Sequence, residues 1–186
     1  MSQILHRLNT EVADVAESVR TSLVQVRSGG RGGGAGTVWH SDGLILTNAH
    51  VVEHEPVRVV LPQGDTLPAR VVAQDKHLDI AALAVDATDL TTIEVGESRR
   101  LRPGELVLAL GHPWGVKGSV TAGVVIGMSS ERPETDNAKR EMIAVSLSLR
   151  PGNSGGPLVD ARGRLVGITS MMTGPEVGLW RCRSTW

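Results

Sequence analysis

Phenylalanine and tyrosine are both absent from these 186 residues, and the aromatic complement is four tryptophans. Core filling therefore falls to Val, Leu, Ile and Ala, and the β-branched share of that set favours strands. A single cysteine, Cys182, excludes an intramolecular disulfide and any multi-cysteine zinc site. It leaves the redox compartment open, because chains without disulfides occur on either side of a membrane. No apolar run approaches the roughly 18 residues of a membrane span. Neither sign of charge dominates: the net charge is −1 and the basic residues are scattered. The electrostatic footprint of a nucleic-acid binder is missing, so no such partner is expected.

The first residues also lack the continuous apolar stretch of a secretory leader, since Glu11, Asp14 and Glu17 interrupt it. As written, the product is expected to stay in the cytoplasm. What the segment does contain is Ile4, Leu5, Leu8, Val12, Val15 and Val19, a spacing of threes and fours that predicts a helix over 1–22.

Beyond the helix, short apolar stretches alternate with turn signals, the pattern of an all-β barrel or sandwich. Thr37–His40 and Leu44–Thr47 flank Ser41-Asp42-Gly43, where Asp and Gly suit a tight hairpin. Val57–Leu61, Ala69–Ala73 and Ile80–Val85 continue the first block. The stretch Gly96–Gly104 is the most polar break near the middle and predicts a boundary, dividing the chain into 23–98 and 99–179. Glu105–Leu110, Ser119–Met128, Met142–Leu149, Pro157–Asp160 and Arg164–Ser170 make a second block, with Glu131–Arg140 as a charged loop. Two blocks of about six strands suggest two barrels, although no sequence repeat relates them. The glycine-rich stretch Gly29–Gly36 holds a partial dinucleotide fingerprint, but it precedes a strand rather than opening a helix, so it is read as a flexible loop.

The strongest chemical feature is Gly152-Asn153-Ser154-Gly155-Gly156-Pro157. A serine hydroxyl is a poor nucleophile until a base takes its proton, and acyl transfer builds negative charge on the substrate's carbonyl oxygen. Glycines around a serine let backbone N–H groups converge on that charge and leave room for substrate. His50, in Thr47-Asn48-Ala49-His50, ends an apolar strand where a rigid scaffold presents a base to a cleft. Asp79 precedes the apolar run Ile80–Val85, and a partly buried carboxylate there needs a partner. Bonded to His50 Nδ1, it would fix the tautomer whose Nε2 accepts the proton of Ser154. The other five histidines are read as surface or core residues.

The order His, Asp, Ser and these local motifs resemble the chymotrypsin-type serine proteases, most closely the HtrA-like branch. The similarity runs over about 34–178. It is carried by Gly34-Ala35-Gly36, by Asp42–His50, by Leu106–Gly115 and Thr121–Val125, and by Gly152–Val159. The resemblance implies two six-stranded antiparallel β-barrels after an N-terminal helix, with His50 and Asp79 from the first and Ser154 from the second. It implies a serine endopeptidase acting on proteins or peptides, with no cofactor and no metal. Backbone N–H groups of Gly152, Asn153 and Ser154 would form the oxyanion hole. Ser148, Leu149, Arg150, Ile168, Thr169 and Ser170 would line the specificity pocket. The segment Ala144–Pro151 has no acidic residue, which favours small or medium apolar side chains at the cleavage site. Asn153 stands where secreted zymogens of this fold carry an Asp, so activation by a newly cut N-terminus is not expected.

Two rival readings remain. His50-Val51-Val52-Glu53-His54 satisfies H-x-x-E-H, a zinc-protease motif that works only on a helix. The two valines and Pro56 oppose a helix there. The second rival is a two-barrel binding protein without catalysis, against which stand three unsubstituted triad positions.

The sequence departs from the resembled branch in four ways. Many members carry a C-terminal PDZ domain, often assemble as trimers through N-terminal aromatics, and are often periplasmic or secreted. This sequence shows the protease unit alone, and Ile4, Leu5 and Leu8 would have to replace those aromatics in a homo-oligomer. After Leu179 the branch continues with Ala, an aliphatic residue and Pro, where this chain has Trp180–Trp186. If the arginines use CGN codons, dropping two nucleotides restores that pattern. The tail is therefore expected to be a frame-shifted product, aberrant over 180–186, with the last strand of the second barrel lost.

Overall fold

A computed structural model describes residues 2–30, 32–131, 140–170 and 180–183. Helix α1 (Ser2–Arg20) leads into six strands: β1 (Leu23–Ser28), β2 (Gly32–His40), β3 (Leu44–Thr47), β4 (Val57–Val60), β5 (Thr66–Asp75) and β6 (Ile80–Val85). Six more follow: β7 (Leu106–Gly111), β8 (Ser119–Glu131), β9 (Arg140–Ser146), β10 (Pro157–Asp160), β11 (Leu165–Ser170) and β12 (Trp180–Arg183). Each set closes into an antiparallel barrel, as the resemblance implied. The expected loop Glu131–Arg140 lies, apart from its two ends, outside the described residues.

The two barrels share one topology. The first runs β1-β2-β3-β6-β5-β4 and the second β7-β8-β9-β12-β11-β10, so in each the sixth strand joins the third to the fifth. That repetition is invisible in the residues because a barrel specifies alternation of inward side chains, not their identity. Val24, Val26, Ile45, Val59 and Leu83 fill the first interior, and Val107, Val125, Ile143, Val145 and Leu158 the second. A third cluster lies between the barrels, built from Val19 of α1, Leu23, Ala35, Leu46, Leu108, Leu110, Val159 and Ile168. Nonpolar burial of this kind is worth about 1.5–3 kcal/mol for each large side chain, so the two halves are welded rather than tethered. The connector between β6 and β7 adds backbone bonds from Leu165 N–H to Glu94 O and from Gly96 N–H to Leu165 O. At the outer end of α1, Ile4, Leu5 and Leu8 are exposed. No helix among the described residues is long and apolar enough to cross a membrane.

Two expectations are corrected. The last strand of the second barrel is present: Trp180–Arg183 pairs with β9 from Trp180↔Val145 to Arg183↔Met142, and with β11 from Ile168↔Arg183 to Ser170↔Arg181. A ladder is made by backbone groups, so a segment without apolar alternation can occupy a slot whose two edges would otherwise be unpaired. The glycine-rich stretch is not a flexible loop beyond its turn at Gly29 and Gly30. From Gly32 onward it is β2, in register with β1 from Ser28↔Gly32 to Leu23↔Thr37. Its glycines answer close approach: a Cβ on Gly34 would run into the carbonyl oxygen of Ser154 and the side chain of Val51.

Candidate active site

Strand pairing explains how His50 and Asp79 meet. Thr47 at the end of β3 lies opposite Ala81 near the start of β6. Three residues beyond Thr47, in the 3₁₀ turn Ala49–Val52, stands His50; just ahead of β6 stands Asp79. His50 Nδ1 lies 2.9 Å from Asp79 Oδ1 and 3.0 Å from Oδ2, and the His50 backbone N–H donates to Oδ1 at 3.1 Å. A carboxylate only accepts, so Nδ1 carries the proton and Nε2 is left as the basic nitrogen.

Two further groups hold Asp79. Ser170 Oγ donates to Oδ2 at 2.7 Å, and Asn48 Nδ2 donates to the Asp79 carbonyl at 2.8 Å. Asp79 sits at φ +52°, in the left-handed region that a side chain enters only when its surroundings insist. The hydrogen bond to Asp79 raises the His50 pKa above its ordinary value; burial opposes this, and the charges of Asp79 and Glu53 add to it. Burial by itself would raise Asp79, but the hydrogen bonds from His50 and Ser170 prevail and hold it below the usual carboxylate range.

Ser154 enters from the second barrel immediately before β10. Its carbonyl accepts the N–H of Ala35 on β2 at 2.8 Å, which ties the serine to the first barrel. Gly155 follows at φ +84°, where a Cβ would strike the Ala35 carbonyl and Thr47 Oγ1. Gly155 N–H donates to Thr169 O and Thr169 N–H to Gly156 O, so the pairing with β11 is carried back to the residue next to Ser154. Ser154 and His50 border one cavity of about 270 Å³. No hydrogen bond joins them among the described residues, in keeping with unliganded sites, where such contacts are often long until substrate arrives.

The other predicted residues separate into different roles. Asn153 N–H is donated to Arg150 O at 2.9 Å, which removes it from the expected oxyanion donors. The N–H groups of Gly152 and Ser154 have no acceptor among the described residues. Asn153 instead braces the loop, its Oδ1 accepting the Arg150 N–H at 3.0 Å. Of the six pocket candidates, Leu149 belongs to the core of the second barrel and Ile168 to the cluster between barrels. Thr169 spends its hydroxyl on the carbonyls of Asn153 and Gly156, and Ser170 on Asp79. Ser148 and Arg150 reach the surface. The zinc motif loses its helix: the 3₁₀ turn ends at Val52, before Glu53 and His54. Sequence reasoning missed Asn48 and misplaced Ser170, because neither polar contact leaves a local signal.

The fold is thus two antiparallel barrels, with the bonded pair His50–Asp79 from the first and Ser154 from the second, His50 and Ser154 bordering one cavity. The sequence pattern of the trypsin-like peptidase domain matches residues 34–168. The chain belongs to that family and carries a trypsin-like peptidase domain; the proteins to which it is similar are HtrA-type serine proteases. It is 38% identical over 176 residues to serine protease HTRA2, mitochondrial, of Bos taurus, which covers 86% of this chain and 38% of that protein. It is 38% identical over 151 residues to protease Do-like 1, chloroplastic, of Arabidopsis thaliana, covering 78% of this chain and 34% of the relative. The chain thus spans a little over a third of the length of such relatives. Among solved structures, an HtrA-type protease AlgW with tripeptide superposes with a TM-score of 0.83 at 28% identity, covering 94% of this chain and 60% of the other.

Proposed function

We propose that this chain hydrolyses peptide bonds in protein or peptide substrates through Ser154 as nucleophile, His50 as general base and Asp79 as its positioning partner. The supporting observation is the bonded set Ser170–Asp79–His50, whose His50 borders the same cavity as Ser154. Ser154 Oγ attacks the scissile carbonyl while His50 Nε2 takes its proton. The tetrahedral oxyanion is met by the N–H groups of Gly152 and Ser154, both without an acceptor among the described residues. His50 then hands the proton to the departing amine, leaving an acyl-enzyme. Water, activated by the same imidazole, releases the acid product and restores the serine. With no acidic residue over 144–151, the acyl side favours small or medium apolar side chains.

A fluorophosphonate probe tests the assignment. It should modify Ser154 in the native protein, as mapped by peptide mass analysis, and leave the Ser154→Ala protein untouched. Probe-resistant native protein that cleaves no peptide would instead identify a two-barrel binding protein.

A further inference from the structure

We infer that the leaving-group side of the cleft is a cationic groove that selects acidic residues beyond the scissile bond, with Arg27 as its specificity-determining side chain. The inference rests on the proteolytic reading above and names its substrate class.

The leaving side is fixed by chemistry, because the departing amine must receive its proton from His50. His50 and Ser154 share their cavity with His54, Gly32, Gly33, Pro151 and Gly152. The last four also border a second cavity of about 480 Å³, whose far walls are Arg27 and Trp114. Four shared residues make these two spaces one groove running from the reacting atoms towards β1. Gly32, Gly33 and Gly34 at the start of β2 carry no side chain, and among the described residues nothing lies within 4 Å of where a Cβ would stand on Gly32 or on Gly30 in the preceding turn. An extended peptide can therefore lie on that wall without displacing protein atoms.

Charge decides what the peptide carries. Among the described residues no carboxylate borders either cavity. Arg27 Nε and Nη2 are held by Gln25 Oε1 at 3.2 and 3.1 Å, a neutral tether that orients the guanidinium without neutralising it. Arg150 lies over the Trp114 ring, 5.6 Å from its centroid, at the rim of the same space. Trp114 is held outward at φ +53° and is 77% exposed, so it is a wall of the groove rather than part of a core. Among the described residues neither arginine has an acidic partner. A guanidinium stays charged at all working pH values and pairs readily with a carboxylate. Glu or Asp in the leaving fragment supplies that partner; Lys or Arg there meets like charge.

The test uses quenched peptides identical up to the scissile bond, with Glu, Ala or Lys at the second and third residues after it. For the native chain kcat/KM should rank Glu above Ala above Lys, with about fivefold per step at low salt, the scale of an exposed ion pair. Raising the ionic strength to about 0.5 M should compress the ranking. Arg27→Glu should invert the order of the Glu and Lys peptides, whereas a uniform fall for all three would show a structural role and overturn the inference. Equal rates for the three peptides, with Ser154 still labelled by the probe, would overturn it and leave the proteolytic reading standing. Absence of both labelling and cleavage would overturn both.

Discussion

Ser170 Oγ donates to Oδ2 of Asp79 at 2.7 Å, so a hydroxyl at the end of the second barrel's fifth strand holds the carboxylate at the start of the first barrel's sixth. This one bond crosses the interface from which the cleft is made. Ser170→Ala should leave the fold intact and lower kcat by about tenfold, the scale of one hydrogen bond to a charged group. KM should change little, because Ser170 would act through Asp79 and not on substrate. Steady-state kinetics checks this, and an unchanged kcat would remove Ser170 from the positioning set.

Replacing Asp79 by Asn tests the imidazole's tautomer. The amide can donate to Nδ1 and so place the proton on Nε2, where it blocks acceptance from Ser154. The loss in kcat should be on the order of 10⁴, read with an activity assay, while circular dichroism stays native.

The pH dependence follows from directions. In the proposed mechanism His50 acts as the neutral base; its folded pKa lies above its ordinary 6.5, so kcat/KM should climb with pH through a midpoint above that value. Asp79→Asn should move the midpoint down by removing the largest raising cause. Stability runs the opposite way for His50: a raised folded pKa means its contribution is complete below 6.5 and fades as pH rises through the folded value. Asp79, depressed below 3.8, contributes fully above that value and loses its contribution as pH falls through its folded pKa. Urea titrations across pH should therefore show the pair's stabilisation in the acid-to-neutral window, and a stability rising steadily above pH 7 would contradict it.

Gly155→Ala should be costly twice over. The site demands φ +84°, and the added methyl meets the Ala35 carbonyl and Thr47 Oγ1. Roughly 3 kcal/mol of destabilisation or more is expected, measured by chemical unfolding, together with loss of probe labelling. Gly64→Ala, at φ +109° with no atom nearby, isolates the backbone cost and should be milder.

A chain ended at Leu179 tests the last strand. Without Trp180–Arg183 the facing edges of β9 and β11 lose their partner, and the second barrel should open, with a lower and less cooperative melting transition than the full chain. Identical melts would mean the tail contributes nothing to the barrel.

Alternation and turn residues placed most strands correctly; His50 and Ser154 stood out by the small residues beside them, and Asp79 as a carboxylate directly ahead of an apolar strand. The glycine-rich segment misled, because run composition cannot distinguish a loose loop from a strand crowded by Ser154 and Val51. The tail misled for the converse reason. Its side-chain pattern lacks alternation, while its place is set by main-chain groups on both neighbours. Thr169 and Ser170 were placed in a specificity pocket by the family resemblance. Their hydroxyls instead face Asn153, Gly156 and Asp79.

By itself the sequence determined the all-β class, the two strand blocks and the three residues of the proposed triad, since these depend on local periodicity and on residue types few other chemistries require. Only the tertiary structure decided that Ser170 holds Asp79, that Asn153 spends its N–H within the loop, and that glycines of β2 join Ser154 to Arg27 in one groove. Each of those facts depends on which distant strands become neighbours when the barrels close, and spacing along the chain carries no record of that closure.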